Sequence, residues 1–397
     1  MRRYAENELH VRPGIVVTVG QANADIIGKT NVALQAAVDY VAALGGGLVN
    51  IGPGEYLMRD SLHMRSGVTV RGAGAETVLK KDASVRSALL LDGDALEEAL
   101  TLANADGFDI GRGVYVCSKQ ARGFQATCAT ILNRNGNYMT LSRPLHTNVL
   151  AVDGGYAATV YSLISACGIS DFRIENLTID GNKTQNEYID GCRGSGVFFL
   201  ESHGGVIENC MVRNFNGDGI GWQKSNDCQV LSCVAEGNTG LGLHPGSGSQ
   251  RPIVRHCKSL NNGSDGFYFC WRVRNAVVED NEMLGNGGYG ISIGHKDSDN
   301  TVRRNVIAEN AQGGVYWRKE LGGQAGDRIH FYENTVIDNG DAGIIVDERV
   351  RGVVIERNKI VDSGKGVQAT GIRICQGADV MLRDNEIKAV QPIVEGL

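Results

Sequence analysis

The segment Val278-Glu-Asp-Asn-Glu-Met-Leu-Gly-Asn-Gly-Gly-Tyr-Gly-Ile-Ser-Ile293 returns, without a gap, as Val302-Arg-Arg-Asn-Val-Ile-Ala-Glu-Asn-Ala-Gln-Gly-Gly-Val-Tyr-Trp317. Each copy has short runs of alternating character, an asparagine closing the first run, a second asparagine five residues on, and a glycine four residues later. Alternation of this kind is the period of a strand, and the unit is too short for a pair of helices. Equivalent runs end at Leu177, Cys210, Cys233, Cys257, Asn281, Asn305, Asn334, Asn358 and Asn385, at spacings of 33, 23, 24, 24, 24, 29, 24 and 27 residues. The second column reads Asn182, Phe215, Asn238, Asn262, Asn286, Asn310, Asn339 and Ser363, and the glycines are Gly219, Gly242, Gly266, Gly290, Gly314 and Gly343. Units made of strands and turns bury their apolar residues only by stacking. The fold class is therefore all-β, a right-handed parallel β-helix (solenoid). Asparagine tolerates left-handed backbone, and its amide can bond the same amide one coil away.

Composition agrees. Glycine makes 54 of the 397 residues, roughly twice the usual share, and proline only 6. Many turns with little proline suit strands that must all donate their N–H groups. Pro245 and Pro252 flank the coil that carries His244 and mark a departure from regular stacking. A hydrophobic content of 42% excludes global disorder, and a net charge of -6 argues against a nucleic-acid partner. No apolar run approaches the roughly 18 residues of a membrane span. The start, Met1-Arg-Arg-Tyr-Ala-Glu-Asn-Glu8, lacks the apolar stretch of a signal peptide. The sequence as it stands thus reads as cytoplasmic, and as exported if a leader has been removed. Ten cysteines without CxxC or Cys/His zinc spacing read as buried free thiols in a reducing compartment.

Outside the repeat, residues 31–44 read as an amphipathic N-terminal capping helix with Ala33, Leu34, Ala37, Val38, Val41 and Leu44 on one face. Such a helix hides the terminal coil's open edge and core. Strands of the first coils follow at Leu48–Ile51, Tyr56–Met58 and Val68–Arg71. Residues 93–160 break the period, and strand-like pieces at Gly113–Cys117, Ala126–Ile131 and Tyr138–Leu141 read as a small antiparallel insertion covering a cleft or an oligomer contact. The division is 1–92 for the cap and first coils, 93–160 for the insertion and 161–397 for the main coils.

Within each coil the residue after the glycine points inward: Ile220, Leu243, Phe267, Ile291, Val315 and Ile344. The next outward column is Gly221, His244, Tyr268, Ser292, Tyr316 and Ile345, and the one beyond it is Gln223, Gly246, Cys270, Gly294, Arg318 and Asp347. His244 and Tyr268 should lie one strand spacing apart. Around them gather Lys224, Trp271, Arg272, Tyr289, His295, Lys296, Lys319 and Glu320, with Asp218 and Asp265 just before strand glycines. This face is the candidate site. An Asp before Gly is also an ordinary turn cap, and an exposed Arg-Lys-Glu run is also a solvated cluster.

The stretch Gly45–Tyr56 with Gly67–Gly74 resembles the opening of pectate-lyase-superfamily β-helix proteins, and the coils resemble polysaccharide lyases, alginate-type C5-epimerases and polygalacturonases over residues 14–80 and 170–390. Against the epimerases, Leu241-Gly-Leu-His-Pro-Gly246 stands where they have Tyr-Gly-Phe-Asp-Pro-His. Pro245 matches, but His244, Gly246 and Leu241 replace the family's Asp, His and Tyr, so its catalytic set is not reproduced. Against the polygalacturonases, Asn216-Gly-Asp-Gly219 resembles Asn-Thr-Asp-Gly, Tyr289 replaces their histidine, and Arg318-Lys319 echoes Arg-x-Lys. Of their aspartates only Asp218 carries over. The resemblance implies a carbohydrate-active enzyme on an acidic, uronic-acid-containing oligo- or polysaccharide, with no membrane or nucleic-acid partner and with a homo-oligomer allowed.

For β-elimination, Arg272, Lys296 or Arg318 would stabilise the enolate-like charge, and His244 and Tyr268 would serve as base and acid in either order. Trp271, Tyr289, Tyr316, Lys224, His295, Lys319, Glu320 and Asp347 are expected to hold substrate. A glycoside hydrolase would instead pair carboxylates such as Asp218 with Asp265, spaced for inversion. A non-catalytic glycan-binding solenoid would show a flat face. No cofactor is required. Calcium is a candidate only through Asp297 and Asp299, because pectate lyases often use it between a carboxylate and a uronate.

Overall fold

A computed structural model describes residues 14–321 and 323–396; the 1–8 stretch read above lies outside the described residues. Strands stack into three long parallel sheets of 13, 11 and 11 strands. One coil runs through Ile253–Arg255, Lys258–Leu260 and Phe267–Tyr268, and the next begins at Val277–Glu279. The register is the expected one. In the third sheet Ile220 pairs Leu243, then Phe267, Ile291, Val315 and Ile344 in turn, and all are fully buried. Trp222 and Trp317 point inward in the same sheet.

Two ladders of side-chain amides run along the stack. In the first, Asn281, Asn305, Asn334, Asn358 and Asn385 each pass Nδ2–H to the next Oδ1 at 2.9–3.1 Å. In the second, Asn238, Asn262, Asn286, Asn310 and Asn339 do the same. Each Oδ1 also accepts the backbone N–H of the preceding coil's asparagine, as Asn286 Oδ1 does from Asn262 N at 3.1 Å. Cys257 extends the first ladder through a weaker contact, Cys233 N to Cys257 Sγ at 3.4 Å. The second ladder corrects the expected column at its end: Gln368, not Ser363, receives Asn339, because the turn there is longer and Ser363 Oγ bonds Asp338 instead. The left-handed residue of each turn is the one before the ladder asparagine. His256, Asp280, Arg304 and Glu333 have φ of 55°, 57°, 53° and 56°. That geometry costs about 1–2 kcal/mol at a non-glycine residue, and the ladder beside it offsets the cost.

The helix Asn31–Ala43 buries Leu34, Ala37, Val38 and Val41 over the first coil, while Leu44 falls past its end and is exposed. A strand unseen in the sequence, Ile15–Gly20, precedes it and pairs with Gly47–Ile51. The insertion is a six-stranded antiparallel sheet. Its strand Gly113–Cys117 serves two cores: Tyr115 and Cys117 face the solenoid, while Val114 and Val116 face a separate cluster with Phe108, Ile131 and Leu145. That alternation welds the insertion to the coils. No described helix is long and apolar enough to cross a membrane.

Candidate functional site

A cleft of about 620 Å³ lies between the third sheet, the loop 188–192 and the insertion's loop 122–125. The insertion thus walls a groove. His244 and Asp218 form its floor, with Nδ1 of the imidazole 2.7 Å from Asp218 Oδ2. Asp218 Oδ1 accepts Leu241 N at 2.8 Å, so the expected turn cap and the dyad are one carboxylate. His244 is not exposed, as its outward position suggested, but 3% exposed. Two glycines bring this about. A Cβ at Gly191 would sit 1.8 Å from Asp218 Oδ2, and one at Gly246 would sit 2.0 Å from Gln223 Oε1. Gly246, where the epimerase pattern has histidine, therefore gives its space to the Gln223 amide, which lies 3.4 Å from His244 Nε2. Gln223 Oε1 is buried without a partner, and exchanging the amide's oxygen and nitrogen would turn an acceptor to His244 Nε2.

Electrostatics make the floor an ion pair. Burial alone would lower the His244 pKa, but hydrogen bonds with Asp218 and the Cys270 thiol carry it up to about 10. Cys270 is drawn down to about 4 by hydrogen bonds from Cys192 and His244, against burial. Cys192 is pushed up by the same contact with Cys270, by burial and by Asp190. Tyr268 sits edge-on to His244 at 5.6 Å between ring centroids, and burial pushes its phenol up to about 12 although Arg318 opposes it.

Of the expected residues, Asp218, His244, Tyr268 and Trp271 line the cleft, together with Cys270, which the sequence placed in an outward column without a role. Trp271 is 44% exposed and lies near Phe124 and His295. Arg318 braces the turn at the cleft's edge. It donates to Phe269 O, Cys270 O and Ser292 Oγ at 2.7, 3.1 and 2.9 Å and lies 4.2 Å over the Tyr268 ring. Asp265 caps Tyr289 N at 2.7 Å and burial raises its pKa. The expected cationic cluster is dispersed into local pairs: Lys224 with Glu201, His295 with Glu320, Lys319 with Glu348. Arg272 lies 5.7 Å from the Trp271 ring, and Lys296 occupies a left-handed turn. Tyr289 stacks on Tyr316, whose hydroxyl meets Asp347 at 3.3 Å. Asp297 is fully buried and accepts Val273 N and Gly294 N, while Asp299 pairs with Arg328. The two carboxylates weighed for calcium thus face different partners.

Sequence reasoning missed Arg122, Phe124, Tyr188, Asp190 and Cys192. They stand on irregular loops outside the repeat, where no column predicts a neighbour. The one readable signal was Gly191-Cys192 beside a polar run, without a period to place it.

The sequence model of the right-handed β-helix region family matches residues 127–270, 164–321 and 246–360, more than half of the chain. A search of curated proteins by sequence finds no match. Among solved structures the chain is similar to the A-module of the Azotobacter vinelandii mannuronan C-5 epimerase AlgE4 (17% identity, TM-score 0.58, covering 94% of this chain and 97% of that one). It is also similar to a glycoside hydrolase (12%, 0.59, 94% and 96%) and to the endo-xylogalacturonan hydrolase of Aspergillus tubingensis (13%, 0.54, 96% and 93%). At such identities the likeness is one of fold. The stacked coils, their ladders and the family match together place this chain in the right-handed β-helix family.

Proposed function

We propose that the protein is a carbohydrate-active enzyme that cleaves a uronic-acid-containing glycan by β-elimination in the cleft above the Asp218–His244–Cys270 floor. The observation that carries this reading is the geometry of that floor: His244 Nδ1 lies 2.7 Å from Asp218 Oδ2, Tyr268 stands edge-on to the imidazole, and Cys270 lines the same cleft. Cys270 takes the C5 proton: it lines the cleft beside His244 and Tyr268, and contacts with Cys192 and His244 draw its pKa down. His244, held charged by Asp218, and Arg122 on the cleft wall stabilise the enolate-like charge. Tyr268 gives its proton to the leaving O4 as the C4–O4 bond breaks and the C4=C5 bond forms. The sequence left His244 and Tyr268 as base and acid in either order; in this reading Tyr268 is the acid and Cys270 the base, with His244 held charged by Asp218. Phe124, Tyr188 and Trp271 offer faces for sugar rings. Similarity in fold to an epimerase and to hydrolases of glycans supports the substrate class.

The test is a panel of acidic glycans read two ways. Elimination gives a new ultraviolet absorbance from the conjugated double bond, and Cys270→Ser or Tyr268→Phe should lower its rate by about 10²-fold or more. New reducing ends without that absorbance would sink elimination. They would favour hydrolysis, for which Asp190 and Asp218 line the same cleft.

A further inference from the structure

A second constellation lies outside the cleft, where the insertion meets the first coils. His63 closes the strand Leu62–His63, and Ser165 pairs with it from the strand Ile164–Cys167. Ser165 Oγ is 2.9 Å from His63 Nδ1, and His63 Nε2 is 3.2 Å from Asp60 Oδ2. The carboxylate sets the tautomer. With Nε2–H donated to Asp60, Nδ1 carries the lone pair and accepts the Ser165 hydroxyl proton. Asp60 is 6% exposed and is fixed by Ser61 N at 2.8 Å and Thr130 Oγ1 at 2.6 Å. A Cβ at Gly113 would come 2.5 Å from Asp60 Oδ1, so that glycine lets the insertion strand press against the carboxylate. The chain of groups is assembled from three separate segments, two of them adjacent strands of the third sheet and one the insertion strand that carries Thr130.

A small cavity of about 60 Å³ opens onto these groups and is also lined by Arg143, Arg193 and His146. It has room for roughly four to six water positions, enough for a two-carbon acyl group and too little for a sugar ring. Burial and the two guanidiniums hold the His146 pKa below its ordinary value, so the positive charge of the wall lies on the arginines. Arg193 Nε is buried without a hydrogen-bond partner.

We infer that this is a second catalytic site, an esterase centre that removes a small acyl group, acetyl by size, from a glycan hydroxyl. Ser165 is the nucleophile, His63 the base and Asp60 the orienting carboxylate. Ser165 Oγ attacks the ester carbon as its proton passes to His63 Nδ1. The backbone around Ser165 pairs with strands on both sides, so the oxyanion falls to the arginine side chains. The ester C–O bond then breaks, and His63 returns the proton to the sugar oxygen. Water, deprotonated by His63, next attacks the acyl-serine and releases the carboxylic acid, restoring Ser165. The inference is independent of the chemistry assigned to the cleft.

The experiment treats the full chain with a fluorophosphonate probe and maps the adduct by peptide mass spectrometry. In parallel, acetate release is measured from p-nitrophenyl acetate and from O-acetylated glycans. The expected result is one adduct, on Ser165, and acetate release that falls by about 10²-fold or more in Ser165→Ala. His63→Gln should slow both labelling and release, with thermal unfolding unchanged. No adduct on Ser165 in the folded wild-type chain overturns the inference. So does acetate release at the wild-type rate in Ser165→Ala, or labelling of Ser165 that His63→Gln leaves unchanged. If Asp60→Asn fails to fold, the wild-type labelling still decides.

Discussion

Asn286→Ala should cost about 3–5 kcal/mol of stability, an unusually large loss for a residue without catalytic duty. The side chain is fully buried in the second ladder. Its Oδ1 accepts Asn262 N at 3.1 Å and Asn262 Nδ2 at 3.0 Å, and its Nδ2 donates to Ser259 O at 3.0 Å and Asn310 Oδ1 at 2.9 Å. Alanine removes all four. Two of the partners are cushioned: Asn262 Nδ2 keeps Ala235 O, and Asn310 Oδ1 keeps Asn286 N. The Asn262 N–H is not, and an orphaned buried donor costs about 1–3 kcal/mol on top of about 1 kcal/mol for each ordinary bond lost. Trp222 and Trp317, both fully buried and on either side of the altered coil in the third sheet, report unfolding by fluorescence in a urea titration. The midpoint is compared at equal slope with that of Asn137→Ala, an exposed residue bonding only Ala103 O, which should stay within about 1 kcal/mol of wild type. A loss below about 1 kcal/mol for Asn286→Ala would refute the reading of the ladder as a cooperative stabilising element.

Cys270 should alkylate with iodoacetamide at pH 6, because its thiolate persists down to about 4, and His244→Ala should move the onset toward 9; a wild-type onset near 9 removes the ion pair. The linkage signs follow: stability from His244 is complete below about 6.5 and lost as pH rises through about 10, while that from Cys270 is complete above about 9 and lost as pH falls through about 4. Arg318→Lys should lower turnover by about 10-fold with a smaller change in KM, since a lysine cannot hold Phe269 O, Cys270 O and Ser292 Oγ together; an unchanged kcat argues against its bracing role. Glu279 is buried among Arg255, Arg303 and Arg304, whose bonds hold its pKa down against burial. Glu279→Gln should cost about 2–4 kcal/mol above pH 4.5, and the difference should shrink as pH falls below 4.5 toward the carboxyl's lowered folded pKa. Equal losses at pH 3 and pH 7 in denaturant titrations would contradict this.

The coil register was readable because one spacing, asparagine to glycine, stays constant while loops of any length hang between units. Gly219, Gly242 and Gly266 therefore fix which face Ile220, Leu243 and Phe267 present. The same rule placed His244 beside Tyr268. It could not say that Gln223 and the 188–192 loop would close over the ring, because burial there comes from segments without a period. It also overcounted cations: Lys224, His295 and Lys319 share a face in sequence, yet each has an acidic neighbour one coil away. The His63–Ser165 contact was invisible for the opposite reason. The two residues are one strand apart in space, but the whole insertion lies between them in the chain.

The amide ladders have a polarity. Each ladder asparagine sends one Nδ2–H and its own backbone N–H forward to the next coil's Oδ1, and its other Nδ2–H back to a carbonyl of the coil before. A coil without a successor would thus leave side-chain and backbone donors unfilled at both ladder positions of its leading edge. Each new asparagine oxygen fills two of them at once. At Gln368 the relay stops, and its Nε2 is left with no acceptor.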